Sequence, residues 1–435
     1  MTIRSGLALC SAVASLLLAC GGSGDLTAHP PPPHSDAGGG GVGNPDGGGG
    51  GGSLAVTGQV VDGAGQPVVG RIVLLGNLST TTDVLGQFSF TGVSAPYDLT
   101  LVATSPGKVA TLYQGLTRTD PKVLDLATGG TLPNTAHVQG TLFGASTFDG
   151  TNVAVVWASP EAVAGVFVDS FPYDLGIEWA GPTTITGTLH ALQWTVDGNG
   201  LPTAYQGIGV KNDVSLDAGT TLTTGDMNLE IPATQTVVTT FSAPTGYTLF
   251  GRRASVTFPD GAFFPVASDQ SSGTTFSVLV PSGADLSVRV STIATNPTGS
   301  VQIFGSLAGV APGTSDASLA LPIPALPVLP APGATGVSTT TDFSWSALAG
   351  GVQVVLFSAS SGSSPSFAII TAGTSARLPD LGSQGLGLPS SESYQWTVIG
   401  LAPLASVDAV AENGTIAPEG AAVFESIADS SFTTR

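Results

Sequence analysis

An all-β fold is what this sequence predicts: tandem β-sandwich domains behind a disordered tether rich in glycine and proline. Three observations carry the prediction. Charged residues make up only 9% of the 435, against about 25% in an ordinary globular chain, while Gly (60) and Pro (31) punctuate the whole length. Hydrophobic residues reach 42%, enough to build cores, so the chain is not kept unfolded by a shortage of apolar side chains. Lys and Glu are scarce where Thr, Ser and Val are abundant, which favours strands over helices. At roughly 100 residues per sandwich, residues 54–435 have room for about four modules. The net charge of −19 leaves no basic footprint for a polyanion, which excludes nucleic acid as a partner.

Residues 1–19 read as an export signal. Arg4 supplies a positive charge, the apolar stretch 7–19 follows, and its 13 residues are too few to span a bilayer as a permanent helix. It ends in Leu17-Leu18-Ala19-Cys20, which resembles the bacterial lipobox. The resemblance implies cleavage before Cys20 and a lipid on its thiol. Several acyl chains, at about 0.8 kcal/mol per buried CH₂, would hold the chain on a membrane. Gly21 is not an inner-membrane retention signal, so the expected location is the cell envelope at the outer membrane, on either face. Cys10 lies in the discarded stretch, which leaves the mature chain without a thiol for disulfides, metal or nucleophilic chemistry. Residues 20–53, with prolines at 30–33 and glycine runs at 38–41 and 47–52, read as a linker. It is stiff in the proline part, coil-like in the glycine part, and about 30 Å in reach.

Residues 54–127 read as a first sandwich. The 55–61 stretch alternates and ends in the turn Asp62-Gly63-Ala64-Gly65, and a tight turn at Asp83-Val84-Leu85-Gly86 separates two further strands. In that turn Asp83 caps, Gly86 takes a positive φ, and Phe88 returns to the core. Val56-Thr57-Gly58-Gln59-Val60-Val61-Asp62, Gly65-Gln66-Pro67-Val68, Thr82-Asp83-Val84-Leu85-Gly86-Gln87-Phe88 and Tyr97-Asp98-Leu99-Thr100-Leu101 together resemble the carboxypeptidase regulatory-like domain. The resemblance covers about a sixth of the chain. It implies a seven-stranded prealbumin-like sandwich, often grouped with carbohydrate-binding-like folds, and no catalytic residues.

Residues 128–232 and 233–325 also read as β-sandwiches, without resemblance to a family. Gln139-Gly140-Thr141-Leu142 echoes Thr57-Gly58-Gln59-Val60, a hint of a repeated first strand. Val153, Val155 and Trp157 share one face of a strand, and His190, Leu192, Trp194 and Val196 share another. Residues 128–232 hold ten acids against one base, Lys211, and three of the five Trp residues. In 233–325, Phe258-Pro259-Asp260-Gly261-Ala262-Phe263 contains an Asp-Gly hairpin turn. Prolines 322, 324, 327, 330 and 332 forbid a membrane helix and mark a connector.

Residues 326–435 form the last module. Thr341-Asp342-Phe343-Ser344-Trp345-Ser346 and Tyr394-Gln395-Trp396-Thr397-Val398 resemble strands B and F of a fibronectin type III domain, which implies a core Trp345 and Trp396 and a tyrosine corner at Tyr394. Residues 399–428 are longer and richer in Ala and Glu than a final hairpin, so an insertion or short helix is expected there.

No motif for nucleophilic, metal-dependent or phosphate chemistry is present, so the expectation is a non-enzyme without cofactor. It would act in ligand or partner binding, adhesion or envelope scaffolding, with a polysaccharide or an envelope protein as partner. The best binding candidate lies in residues 150–205. Trp157, Tyr173, Trp179 and Trp194 stand among Asp169, Asp174 and Glu178, a mixture that suits sugar faces and hydroxyls. Phe171, Tyr205 and Asp197 lie in the same stretch, and its carboxylates would serve at most a weak calcium site. The alternative is that the rings are core and the acids a solvated face. A hydrolase in 128–325 built on His137 or His190, or on paired carboxylates such as Glu161 and Glu178, would need convergence that spacing alone does not reveal.

Overall fold

The computed structural model describes residues 53–105, 107–130, 132–144, 151–283 and 285–435. The signal, lipobox and linker readings, with Leu17, Leu18, Ala19 and Cys20, lie outside the described residues. The regular structure of the described chain is almost wholly strand, arranged as four sandwich units.

The first three units share one topology. Unit one runs Leu54–Val61, Ile72–Leu75, Leu78–Thr81, Gln87–Val93, Tyr97–Ala103, Val109–Leu116 and Lys122–Leu124. Unit two runs Asn134–Gly140, Asn152–Ala158, Val163–Phe167, Tyr173–Trp179, Thr184–Val196, Pro202–Asp217 and Thr221–Leu222, with a short extra pair, Leu142–Phe143 and Met227–Asn228. Unit three runs Thr234–Ser242, Thr248–Thr257, Phe263–Asp269, Thr275–Pro281, Ser287–Thr295, Val301–Val310 and Ala317–Ala320. In each, the first strand lies between the fourth, antiparallel, and the seventh, parallel. The opposite sheet has the order third, second, fifth, sixth. One cross-strand pair recurs at the same place. Gly58 faces Phe88, Gly140 faces Tyr173, and Thr239 faces Phe276. A small residue there gives the aromatic ring of the fourth strand its seat. A Cβ on Gly58 would fall 2.4 Å from the Phe88 ring and from the Pro121 carbonyl oxygen.

The turn of unit one has the expected mechanics. Asp83 Oδ1 accepts from the N–H groups of Leu85 (2.9 Å) and Gln87 (2.8 Å), Gly86 has φ +70°, and Phe88 is buried.

Unit four sets a three-stranded sheet, Leu326–Leu329, Phe343–Ser346 and Ser375–Ala376, against Ser366–Thr371, Val352–Ala359, Ser393–Ala402 and Ala422–Thr434. The proline run is therefore not all connector, since Pro327 pairs with Trp345 on an edge strand that tolerates its missing N–H. The expected helix is Val407–Asn413, capped by Ser406 Oγ accepting from the Ala409 N–H at 3.2 Å. Trp345 and Trp396 are buried as expected. Tyr394 does not form a tyrosine corner. Its hydroxyl donates to the Pro365 carbonyl at 2.8 Å, 29 residues upstream, in the loop before the Ser366–Thr371 strand.

The units are joined by strand pairing. Residues 301–307 of unit three pair antiparallel with 422–428 of unit four, and 366–370 of unit four pair parallel with 109–113 of unit one. A single 13-stranded sheet thus runs through units three, four and one. Cores are shared as well. Val352, Val354, Leu356, Ile399 and Leu401 of unit four, with helix residues Val407, Val410 and Ala411, lie in the core of unit one. Ala154, Val156, Leu192 and Trp194 of unit two lie in the core of unit three. The described residues form four cores, and those of units one, three and four each draw residues from a neighbouring unit.

Glu425 sits on the seam, paired in register with Phe304 and Leu401, and its Oε1 is buried without a hydrogen-bond partner. Burial raises its carboxyl to about 7 from 4.5. A raised folded-state value means full stability below the unfolded value, lost as pH rises through the folded one. The melting temperature should fall between about pH 5 and pH 8, by on the order of 3 kcal/mol in stability. Glu425→Gln should flatten that dependence in a pH series of thermal melts. Gly58→Ala should lower stability by about 1–3 kcal/mol in urea denaturation, since both the Phe88 ring and a backbone carbonyl occupy the space of the new methyl.

Candidate functional site

The strand Tyr173–Trp179 decides the fate of the aromatic and acidic cluster. Its burial alternates strictly, with Tyr173, Leu175, Ile177 and Trp179 inward and Asp174, Gly176 and Glu178 outward. Side chains on a strand alternate between faces, so the rings and carboxylates of this strand cannot serve one ligand. Tyr173 and Trp179 enter the core of unit two, where Trp157 joins them. The Tyr173 hydroxyl donates to the Gly225 carbonyl at 2.5 Å, and Trp179 Nε1 to the Pro182 carbonyl at 2.7 Å. Trp194 points the other way, into the interface with unit three, and Tyr205 beside it donates to the Leu279 carbonyl at 3.0 Å. All four tryptophan and tyrosine candidates are at most 2% exposed, so the candidate sugar platform at Trp157, Tyr173, Trp179 and Trp194 is core, as the alternative reading had it. Residue parity along 173–179 carried that signal.

The acids take separate places. Asp174 is solvent-exposed and receives hydrogen bonds from His137 Nδ1 (2.8 Å) and Gln139 Nε2 (3.0 Å), which hold its carboxyl below the usual carboxylate range. Glu178 lies at the far end of the same outward face, opposite Thr135. Asp169 accepts from Ser170 Oγ at 3.2 Å. Asp197 caps its own hairpin, accepting from the N–H groups of Asn199 and Leu201. Among the described residues, no three His, Cys, Asp or Glu side chains group to hold a metal ion.

His190 is buried, with the Phe258 ring tilted against it at 4.1 Å between centroids and Asp260 Oδ2 2.6 Å from its Nε2. Burial pushes the Asp260 carboxyl up, but the hydrogen bond and charge of His190 outweigh it and hold the group below its ordinary value. The other ring nitrogen, Nδ1, is buried and has no hydrogen-bond partner. This His–Asp pair spans unit two and the Asp-Gly turn of unit three, and it fastens the two units together. It has no hydroxyl nucleophile at the free nitrogen, which a Ser-His-Asp arrangement requires.

What the sequence did not reveal is a cleft of about 760 Å³ between units one and four. Its floor is the outer face of the unit-one sheet, where Leu74, Thr100 and Leu112 form one cross-strand row. One wall is the Gly76-Asn77 hairpin, and the other is residues 375–384. Arg377 at the rim is bound to Asp342 by two hydrogen bonds, 2.6 and 3.2 Å long. The lining residues lie some 300 positions apart, so nothing local in the sequence could have united them.

No family model matches the chain, and no curated protein matches it. Among solved structures, a leucine-rich repeat protein from Bacteroides thetaiotaomicron overlaps 43% of this chain at 12% identity and TM-score 0.16. This chain spans about a quarter of that protein, 26%. The major pilin subunit BcpA of Bacillus cereus overlaps 62% of this chain and 99% of its own length, at 9% identity and TM-score 0.15. The fimbrial anchor protein Mfa2 from Porphyromonas gingivalis overlaps 38% and 79%, at 14% identity and TM-score 0.17. Scores of this size do not define a shared architecture, so the functional reading rests on this chain's own residues. Among the described residues, no helix is long and apolar enough to cross a membrane.

Trp157→Ala should cost about 3–5 kcal/mol in urea denaturation, the loss expected of a large ring in a closed core. Glu178→Gln should leave stability within about 0.5 kcal/mol, as exposed surface changes do.

Proposed function

We propose that the chain is a non-catalytic, lipid-anchored protein of the cell envelope, a stiff post that holds a partner-binding surface away from the membrane. The observation that carries this reading is the manner of joining. Units on flexible linkers reorient freely, whereas here backbone ladders cross from unit three to unit four and from unit four to unit one. Separating them would break those ladders and expose sheets that are apolar on both faces. That suits scaffolding or adhesion, where units must resist being pulled apart.

The lipobox Leu17-Leu18-Ala19-Cys20 and the linker after it support the membrane end of the reading, with the first strand starting at Leu54 just beyond the spacer. On this reading units one to three are prealbumin-like modules, the first resembling a carboxypeptidase regulatory-like domain, and unit four is fibronectin type III-like. The outer membrane is the proposed site of anchoring.

Two experiments test it. A palmitate analogue fed to expressing cells should label the protein, and Cys20→Ala should abolish the label and release the chain in soluble form. Label retained on Cys20→Ala would disprove the anchor. Limited proteolysis should cut before residue 54 and leave one resistant fragment. Rapid cleavage into single units would disprove the stiff post.

A further inference from the structure

We infer that the cleft between units one and four is a docking groove for an extended segment of a partner protein carrying a basic side chain, which adds as a strand to the free edge Leu78–Thr81. This deepens, and rests on, the reading of the chain as a non-catalytic partner-binding protein. The first support is the edge itself. Leu78–Thr81 ends the long sheet, with Ile72–Leu75 on one side and, among the described residues, no strand on the other. The Thr82 N–H donates to the Arg71 carbonyl at 2.9 Å, and the Gly70 N–H to the Thr82 carbonyl. Antiparallel ladders alternate, so Ser79 and Thr81 turn their backbone N–H and C=O groups outward.

Such edges are normally blunted by charge, proline or a bulge. The opposite end of the sheet is, since Phe263–Asp269 contains Pro265, ends at Asp269 bound to Arg252, and packs against unit two. Leu78-Ser79-Thr80-Thr81 has no such guard. An open edge offers a partner main-chain hydrogen bonds, and the pockets beside it select side chains.

Charge names the side chain. Of the acids lining the cleft, Asp342 is neutralised by Arg377. Asp98 accepts only from the Gly115 N–H, at 2.9 Å, and Asp380 only from the Gly382 N–H, at 3.2 Å. Among the described residues neither has a cation in reach, so the groove carries uncompensated negative charge. Gln114 in the lining has a buried Oε1 without a donor. The Leu74, Thr100 and Leu112 floor would seat the aliphatic stem of a Lys or Arg whose head reaches the Asp98 and Asp380 carboxylates.

The test is selection of a phage-displayed random heptapeptide library on the immobilised intact chain. Enriched peptides are expected to carry Lys or Arg. Their affinity should fall about tenfold in Ser79→Pro, which removes one outward N–H and spares the ladder to Ile72–Leu75. A similar fall is expected in the surface pair Asp98→Asn with Asp380→Asn, while Val84→Ser at the far turn should change nothing. Thermal melts of each variant establish that it folds, and the aspartate pair keeps the test decisive if Ser79→Pro does not. No enrichment, or affinity unchanged in both variants, overturns the inference. So does a concentration-dependent dimer abolished by Ser79→Pro, because a second copy would then be the occupant. None of these failures alters the proteolytic resistance of the joined units, so the docking groove and the stiff post fail separately.

Discussion

Strand Ala422–Thr434 has no free edge, and the joining of units three and four follows from that. One side pairs along its length with Ser393–Ala402; the other pairs first with Val301–Val310 and then with Ala334–Val337. A sheet edge is a row of unmet donors and acceptors. Here the last strand of the chain satisfies such a row on unit three while it closes unit four. The consequence is continuity of hydrogen bonding across units that a linear reading would separate. Its cost is concentrated at Glu425, a carboxylate on the seam with an unmet oxygen and an elevated proton affinity.

The same economy of surface governs the sheet faces. Val352–Ala359 and Asn152–Ala158 are buried almost throughout, because each lies in a sheet covered on both sides. Val355 and Phe357 face the core of unit four while Val354 and Leu356 face that of unit one. Polar contacts then fix the orientation that apolar packing alone leaves loose. His190 meets Asp260 between units two and three. At the other junction Asp408, in the first turn of the helix, accepts from the N–H of Thr117 at 2.8 Å and from its hydroxyl. Those hydrogen bonds outweigh burial and keep the Asp408 carboxyl low. Without thiols in the described units, such contacts and the cores do the work that disulfides do in many exported proteins.

How much was legible depended on how many faces of a strand are covered. Where one face is solvent-exposed, as in 173–179, alternation between Tyr173 and Asp174 is plain in the letters, and the structure parts rings from acids along it. Where both are covered, alternation vanishes and a run such as Val352–Ala359 does not say which residue faces which core. The repeat was readable only at the glycines. Gly58 and Gly140 occupy the same place opposite an aromatic, and the echo around them is real; unit three puts Thr239 there, and the likeness disappears from its sequence. The expected tyrosine corner failed for a related reason, since spacing fixes where Tyr394 lies on its strand but not which loop reaches its hydroxyl.

By itself the sequence determined the strand-rich class and the tight turns, because turn geometry and two-residue periodicity are local properties of φ, ψ and side-chain size. Asp83, Gly86 and Phe88 needed only their neighbours to be understood. Tertiary structure alone decided that units one and three meet on unit four, that Trp194 is an interface residue, and that an unguarded edge lies above an acidic cleft. Those outcomes depend on edges and faces brought together from hundreds of residues apart. Hydrogen-bond ladders and apolar burial reward such meetings without requiring any signature in the segments that make them.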